Sequence, residues 1–244
     1  MHSLSAKELL DVWEQGRDRP MPVRAVGLLA AACPESSVES LMQLPIGRRD
    51  GLLLSLREMA FGPELSAMAE CPQCSERLEI SFHADDVRPS GGSEQAGPFQ
   101  FETQGYQLHL RPVNSTDLSR FTGTEPPETL RQELLECCLL DARFQGAPQG
   151  IGDLPEPVIV DAINRLERAD PLASSQVQIA CPSCGQASPV LFDIALYFWR
   201  EIENWAFRLL RDVHALAAAY GWSERDILAL SPWRRQYYLQ MVQG

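Results

Sequence analysis

Two four-residue runs, Cys71-Pro72-Gln73-Cys74 and Cys181-Pro182-Ser183-Cys184, constrain this chain more than any other feature. Each offers two thiols at the spacing with which a knuckle grips a metal, and together they make the donor set of a tetrahedral structural zinc. The interval between them, residues 75 to 180 or 106 positions, far exceeds the roughly 15 to 20 residues of a compact zinc ribbon. Pairing therefore has to come from the fold. Closing a loop of this length costs about 4 kcal/mol, against about 10 to 16 kcal/mol from a structural zinc, so the ion outweighs the closure. Read together, Cys71, Cys74, Cys181 and Cys184 hold one zinc; read apart, they are four unrelated thiols. Cys33, Cys137 and Cys138 read as small buried hydrophobes.

Alternation of apolar and polar residues brackets both pairs. Leu78, Ile80 and Phe82 follow the first pair; Val177 and Ile179 precede the second, and Val190 and Phe192 follow it. Each pair thus reads as the tip of a β-hairpin, with halves at 67–88 and 173–192 of one zinc-ribbon-like element. Gly185 after the second pair suits a knuckle, whereas the first pair has Ser75 at that place. Cys-Pro-x-Cys also occurs in dithiol oxidoreductases, where a helix N-terminus activates the first cysteine. The strand-type residues that follow both pairs speak for the knuckle.

The remainder is mostly helical. Residues 1–66 read as an N-terminal helical region: Ser5 and Glu8 make a capping box ahead of a helix closed by Gly16. Pro22 precedes the apolar 23–33 stretch, and Pro45 opens a helix in which Leu53, Leu56, Met59 and Ala60 recur as core positions until Gly62-Pro63. Residues 89–172 read as an inserted small α+β subdomain. It opens with the flexible Ser90-Gly91-Gly92-Ser93, has a hairpin over 99–113 turning near Gly105, and continues with helices at 129–140 and 157–168 separated by a Gly/Pro loop over 146–153. Residues 193–244 read as a C-terminal helical arm. Asp193 caps a helix whose stripe Ile194, Phe198, Ile202, Trp205, Leu209, Val213, Leu216 and Tyr220 spans roughly 40 Å at 1.5 Å per residue. Gly221 ends it, Trp222 folds back, and two short helices follow from Ser223 and Ser231-Pro232. The fold class expected is α+β, mainly helical.

Composition narrows the function. A net charge of −12 and a pI near 4.8 weigh against a phosphate-backbone binder. The first 16 residues lack the apolar run of a secretory signal, and the apolar 25–33 stretch is far short of the roughly 20 residues of a membrane span. A cytoplasmic chain with reduced thiols is expected. His2, His83, His109 and His214 are scattered, and neither a phosphate loop nor a nucleophile elbow is present. The expectation is a binding protein with no small-molecule substrate, not an enzyme. Trp222, Trp233, Arg234, Arg235, Tyr237 and Tyr238 are of the types enriched at binding hot spots and form the candidate partner surface; for Trp233, Tyr237 and Met241, core packing is the competing reading.

Several of these runs resemble one family. Leu44-Pro45-Ile46-Gly47-Arg48-Arg49-Asp50, then Leu56-Arg57-Glu58 and Phe61-Gly62, the two cysteine pairs, and the run from Leu110 to Leu118 are similar to the T-even phage baseplate protein family. That family includes hub assembly factors of contractile phage tails, and similar proteins accompany contractile injection systems. The run from Tyr220 to Leu228 with Arg234-Arg235 is similar to sequences of such tail clusters. The resemblance implies a non-enzymatic role, as a transient chaperone or a minor component, with hub, spike or wedge proteins as partners and a place in the finished particle as one outcome. A zinc-ribbon module of transcription or nucleic-acid processing, and a thiol oxidoreductase, are the alternatives.

Overall fold

The computed structural model describes residues 1–88 and 97–243. The expected Ser90-Gly91-Gly92-Ser93 linker lies outside the described residues. The fold is mixed α/β, 55% helical, with small antiparallel sheets and a long C-terminal helix.

The N-terminal residues form α1 (Ala6–Gly16), α2 (Met21–Ala32), α3 (Val38–Met42) and α4 (Ile46–Phe61). The expected capping box is present: Ser5 Oγ accepts from the Glu8 N–H, and the Glu8 carboxylate accepts from the Ser5 N–H at 2.8 Å. Leu53 and Leu56 are fully buried, whereas Met59, expected in the core, is exposed. Strands then begin earlier than expected. β1 (Glu64–Glu70) and β2 (Arg77–His83) form an antiparallel hairpin around the first cysteine pair.

The chain resumes with β3 (Phe99–Thr103) and β4 (Tyr106–Leu110), joined through Gln104 and Gly105, both at positive φ. α5 (Ser115–Leu118) and α6 (Pro127–Cys138) follow. Leu139 and Leu140, expected to extend the second of these helices, instead open β5 (Leu139–Phe144), which pairs with β4. β6 (Ala147–Pro148) turns back within the expected loop and completes a sheet in the order β3-β4-β5-β6. α7 (Glu156–Ala169) covers this sheet, and Leu108, Leu110, Leu135, Ala142, Leu154, Val158 and Ala162 make a core of their own.

β7 (Gln176–Ala180) and β8 (Ala187–Leu191) form the hairpin of the second cysteine pair. α8 (Ile194–Tyr220) is capped by the Asp193 carboxylate on the Leu196 N–H at 3.0 Å and ends at Gly221 in the left-handed conformation. α9 (Glu224–Leu228) and α10 (Pro232–Gln243) close the chain. The first half of α8 lies in the main core, where Phe198, Trp199 and Ile202 meet Leu9, Trp13, Leu28, Leu29 and Leu53. The second half makes a satellite core of Leu209, Val213, Leu216, Ile227 and Leu239 with the short helices. Among the described residues no helix is long and apolar enough to cross a membrane.

A polar junction fastens the smaller core to α4. The Ile46 N–H donates to the Val113 carbonyl at 3.0 Å, the Asn114 side chain donates to Gln43 at 2.9 Å, and Arg49 donates to Ser115 at 3.2 Å. The Asp170 carboxylate, just past α7, accepts from the Gly47 N–H at 2.9 Å, capping a helix whose own N-cap, Pro45, has no side-chain acceptor. A Cβ at Gly47 would lie 2.0 Å from that carboxylate, so only glycine fits. Burial pushes Asp50 up to about 6 against the pull of Arg49, whose Nη2 lies 2.7 Å from it. Toward the C-terminal end of α4, Arg57 clamps Glu201 of α8 with two hydrogen bonds, at 2.8 and 2.7 Å.

Candidate metal centre and the C-terminal surface

The two hairpins are separate two-stranded sheets whose inward residues share one small cluster: Cys71, Leu78, Ile179 and Cys181 are buried there, with Ala69, Ile80, Val177 and Val190 beside them. Alternation along each strand puts these residues on one face. It also sets the two tips side by side.

Both tips are built alike. The Cys71 N–H donates to the Glu76 carbonyl and the Ser75 N–H to the Cys71 carbonyl, each at 2.9 Å. The Cys181 N–H donates to the Gln186 carbonyl and the Gly185 N–H to the Cys181 carbonyl, again at 2.9 Å. Each turn places one residue at positive φ, Ser75 at 57° and Gly185 at 72°. Gly185 has open space around it, so it is needed for its backbone alone; Ser75 occupies the same conformation at a steric cost of about 1 kcal/mol. The missing glycine therefore does not spoil the first knuckle.

All four sulfur atoms lie within 4.8 Å of one another, Cys71 to Cys184 at 3.7 Å and Cys74 to Cys181 at 3.6 Å. Four sulfurs at the Zn–S distance of about 2.3 Å in a regular tetrahedron stand about 3.8 Å apart. The set fits a tetrahedral metal ion and could bind one. Cys71 and Cys181 are buried, while Cys74 and Cys184 face solvent. The Cys71 thiol is lowered to about 7, first by the backbone N–H groups of Gln73 and Cys74. The Glu76 N–H pulls Cys74 the same way, but desolvation and the bonds with Cys181, Cys71 and Cys184 push it up to about 12. A bound cation is what would let all four ionise side by side. Neither pair stands at a helix N-terminus, the setting that activates a dithiol catalyst.

Of the other cysteines, Cys33 and Cys138 are buried as expected. Cys137 is not: it is half-buried, and its sulfur takes a hydrogen bond from Arg120 at 2.9 Å.

The six residues of the candidate partner surface divide. Trp222 and Tyr238 are half-buried, packed edge to face at 4.9 Å, with Tyr220 stacked on Trp222 at 4.7 Å. Arg235 points inward, which removes it from any exposed surface. Trp233, Arg234 and Tyr237 are exposed, as is Met241, so the core-packing reading of Trp233, Tyr237 and Met241 gives way.

The two runs from Leu44 to Asp50 and from Leu110 to Leu118, 60 residues apart in sequence, are the two sides of the polar junction described above. The sequence placed the first run at the start of a helix and Leu110 to Val113 at the end of a hairpin but did not bring the two together, and Asp170 carried no signal at all. Only the Asn114/Asp117 capping box of α5 was open to detection. The family model of the T4 bacteriophage base plate protein matches residues 5–139. The chain belongs to this family. The matched segment of this baseplate-family chain holds the first four helices, the first cysteine hairpin, both sides of the junction and α6. No curated protein and no solved structure matches the chain.

Proposed function

We propose that this chain is a non-enzymatic assembly factor or minor structural component of a contractile tail or injection-system baseplate, holding hub, spike or wedge proteins on a scaffold fixed by one zinc ion. Family membership supports a structural or assembly role in a baseplate. The observation that carries the scaffold is the four-sulfur cluster: four cysteines in tetrahedral array suit zinc, which is bound by thiolates and needs no redox partner. Cys71, Cys74, Cys181 and Cys184 would hold the ion, and its contribution would be folding energy. In this reading 67–88 and 173–192 are the halves of one zinc-ribbon-like element, 89–172 is an inserted unit, and 1–66 and 193–244 are the helical parts it ties together.

The test is purification of the tagged chain from its native host under reducing conditions, with co-purifying proteins identified by mass spectrometry. Spike, hub or wedge proteins are the expected companions. Polymerase subunits or nucleic acid would favour the zinc-ribbon alternative, and the absence of any companion would contradict the assembly role.

A further inference from the structure

Helix α10 has two faces of different character. The inner face sets Leu239 and Arg235, 5% and 6% exposed, against α8. The outer face carries Trp233, Tyr237 and Met241, which are 74%, 51% and 57% exposed. They follow one another at every fourth residue, and the rings of Trp233 and Tyr237 are stacked at 5.6 Å. Single exposed apolar residues are ordinary, but three large ones in one row form an anchor set of the kind that lies in a partner's groove.

Charge says what fits there. α10 holds two arginines and no carboxylate, in a chain of net charge −12. Arg234 flanks the apolar row in solvent. Beneath it, the Arg235 Nη1 group has no hydrogen-bond partner, and its nearest carboxylate, Asp212, stands 3.9 Å from Nε. The same helix of a second copy would offer Arg234 no carboxylate, since α10 holds none. Nucleic acid or an anionic bilayer would spread its charge over the acidic remainder of the chain, whereas a short segment can confine its carboxylates to α10, which has none. We infer that the outer face of α10 docks an acidic, amphipathic segment of another protein, with apolar side chains over Trp233, Tyr237 and Met241 and carboxylates toward Arg234. The inference rests on the baseplate reading only for whose segment it is.

Photo-crosslinking tests it. p-Benzoylphenylalanine replaces the exposed Tyr237 in the full chain expressed in its host, and the crosslinked peptides are sequenced. The expected product is one segment in which Asp or Glu alternate with apolar residues at helical spacing. Its yield should fall with added salt and drop roughly tenfold in Arg234→Glu, whose melting temperature should match the parent because the position is exposed. Crosslinks to a second copy of this chain, to nucleic acid or lipid, or to a segment without carboxylates would each overturn the inference, as would no crosslink at all. An acidic segment from a protein outside the baseplate would uphold the surface and sink the assembly reading.

Discussion

The two cysteine hairpins have the same tips and different foundations. β1 and β2 run for seven residues each and send Leu65, Phe82 and the following Ala84 and Val87 into the main core. β7 and β8 run for five, and only half-buried Val177 and Phe192 reach that core. The first hairpin also hangs on α8, where the Tyr197 hydroxyl accepts from the Ser66 N–H at 3.1 Å and donates to its carbonyl at 3.0 Å. The second relies on a small cluster with Cys71 and Leu78 and on Phe192, whose ring meets Phe82 at 5.1 Å. The family match divides them as well, since it includes Cys71 and Cys74 and stops at residue 139. The difference teaches that shared ligands need not mean shared dependence. One hairpin is part of the body, and the other is held to it by the smaller cluster and Phe192, with the four sulfurs at the seam.

The largest effect should come from removing the metal that the four cysteines are proposed to hold. Chelation, or Cys181→Ser at a buried position, should cost at least about 4 kcal/mol and should expose the amides of β7 and β8 to hydrogen exchange while β1 and β2 keep their protection. Equal loss in both hairpins would erase the distinction. Leu65→Ala should cost about 3 kcal/mol by leaving a cavity in the main core, whereas Val177→Ala should cost about 1 kcal/mol; thermal melts of both variants measure the gap.

Acid should act on the second hairpin and on α4 with opposite sign. Falling pH protonates thiolates and releases a bound metal, loosening the second hairpin. Asp50 works the other way, because its native value of about 6 lies above its ordinary one. Its proton is held more tightly in the folded state, so its contribution is complete below about pH 4 and is lost as pH rises through 6, by about 3 kcal/mol. Asp50→Asn should remove that dependence, seen as a flatter plot of stability against pH between 4 and 7. The smallest effects lie at the tips. Ser75→Gly should stabilise and Gly185→Ser destabilise, each by about 1 kcal/mol, and a null result for both would mean that the left-handed turns carry no strain.

What could be read from the sequence was whatever local chemistry decides alone: the Ser5 box, the turn at Gly105, the helix from Asp193 to Gly221, and thiols paired at knuckle spacing. What could not be read depends on partners distant in sequence. β1 has only Leu65, Ala67 and Ala69 as its apolar face, too small a signal beside helical neighbours. Leu139 and Leu140 continue the apolar run of a helix, and it is the pairing of Leu139 and Asp141 with β4 that draws this stretch into a strand. Arg235 looked like a surface arginine until α8 covered it, and Asp170 caps a helix 123 residues away. Two matching pairs suggested one shared ion, but their distance in sequence left the convergence to the fold, where the cluster of Leu78 and Ile179 with Ala69, Ile80, Val177 and Val190 brings the tips together.

The most direct test of the account is the metal content of the native protein, purified without added metal and weighed intact by mass spectrometry. One zinc per chain, absent from Cys181→Ser together with the protection of β7 and β8, is the predicted result. A chain that carries no metal, or a Cys181→Ser variant that melts with the parent, would contradict the scaffold on which the proposed assembly role depends.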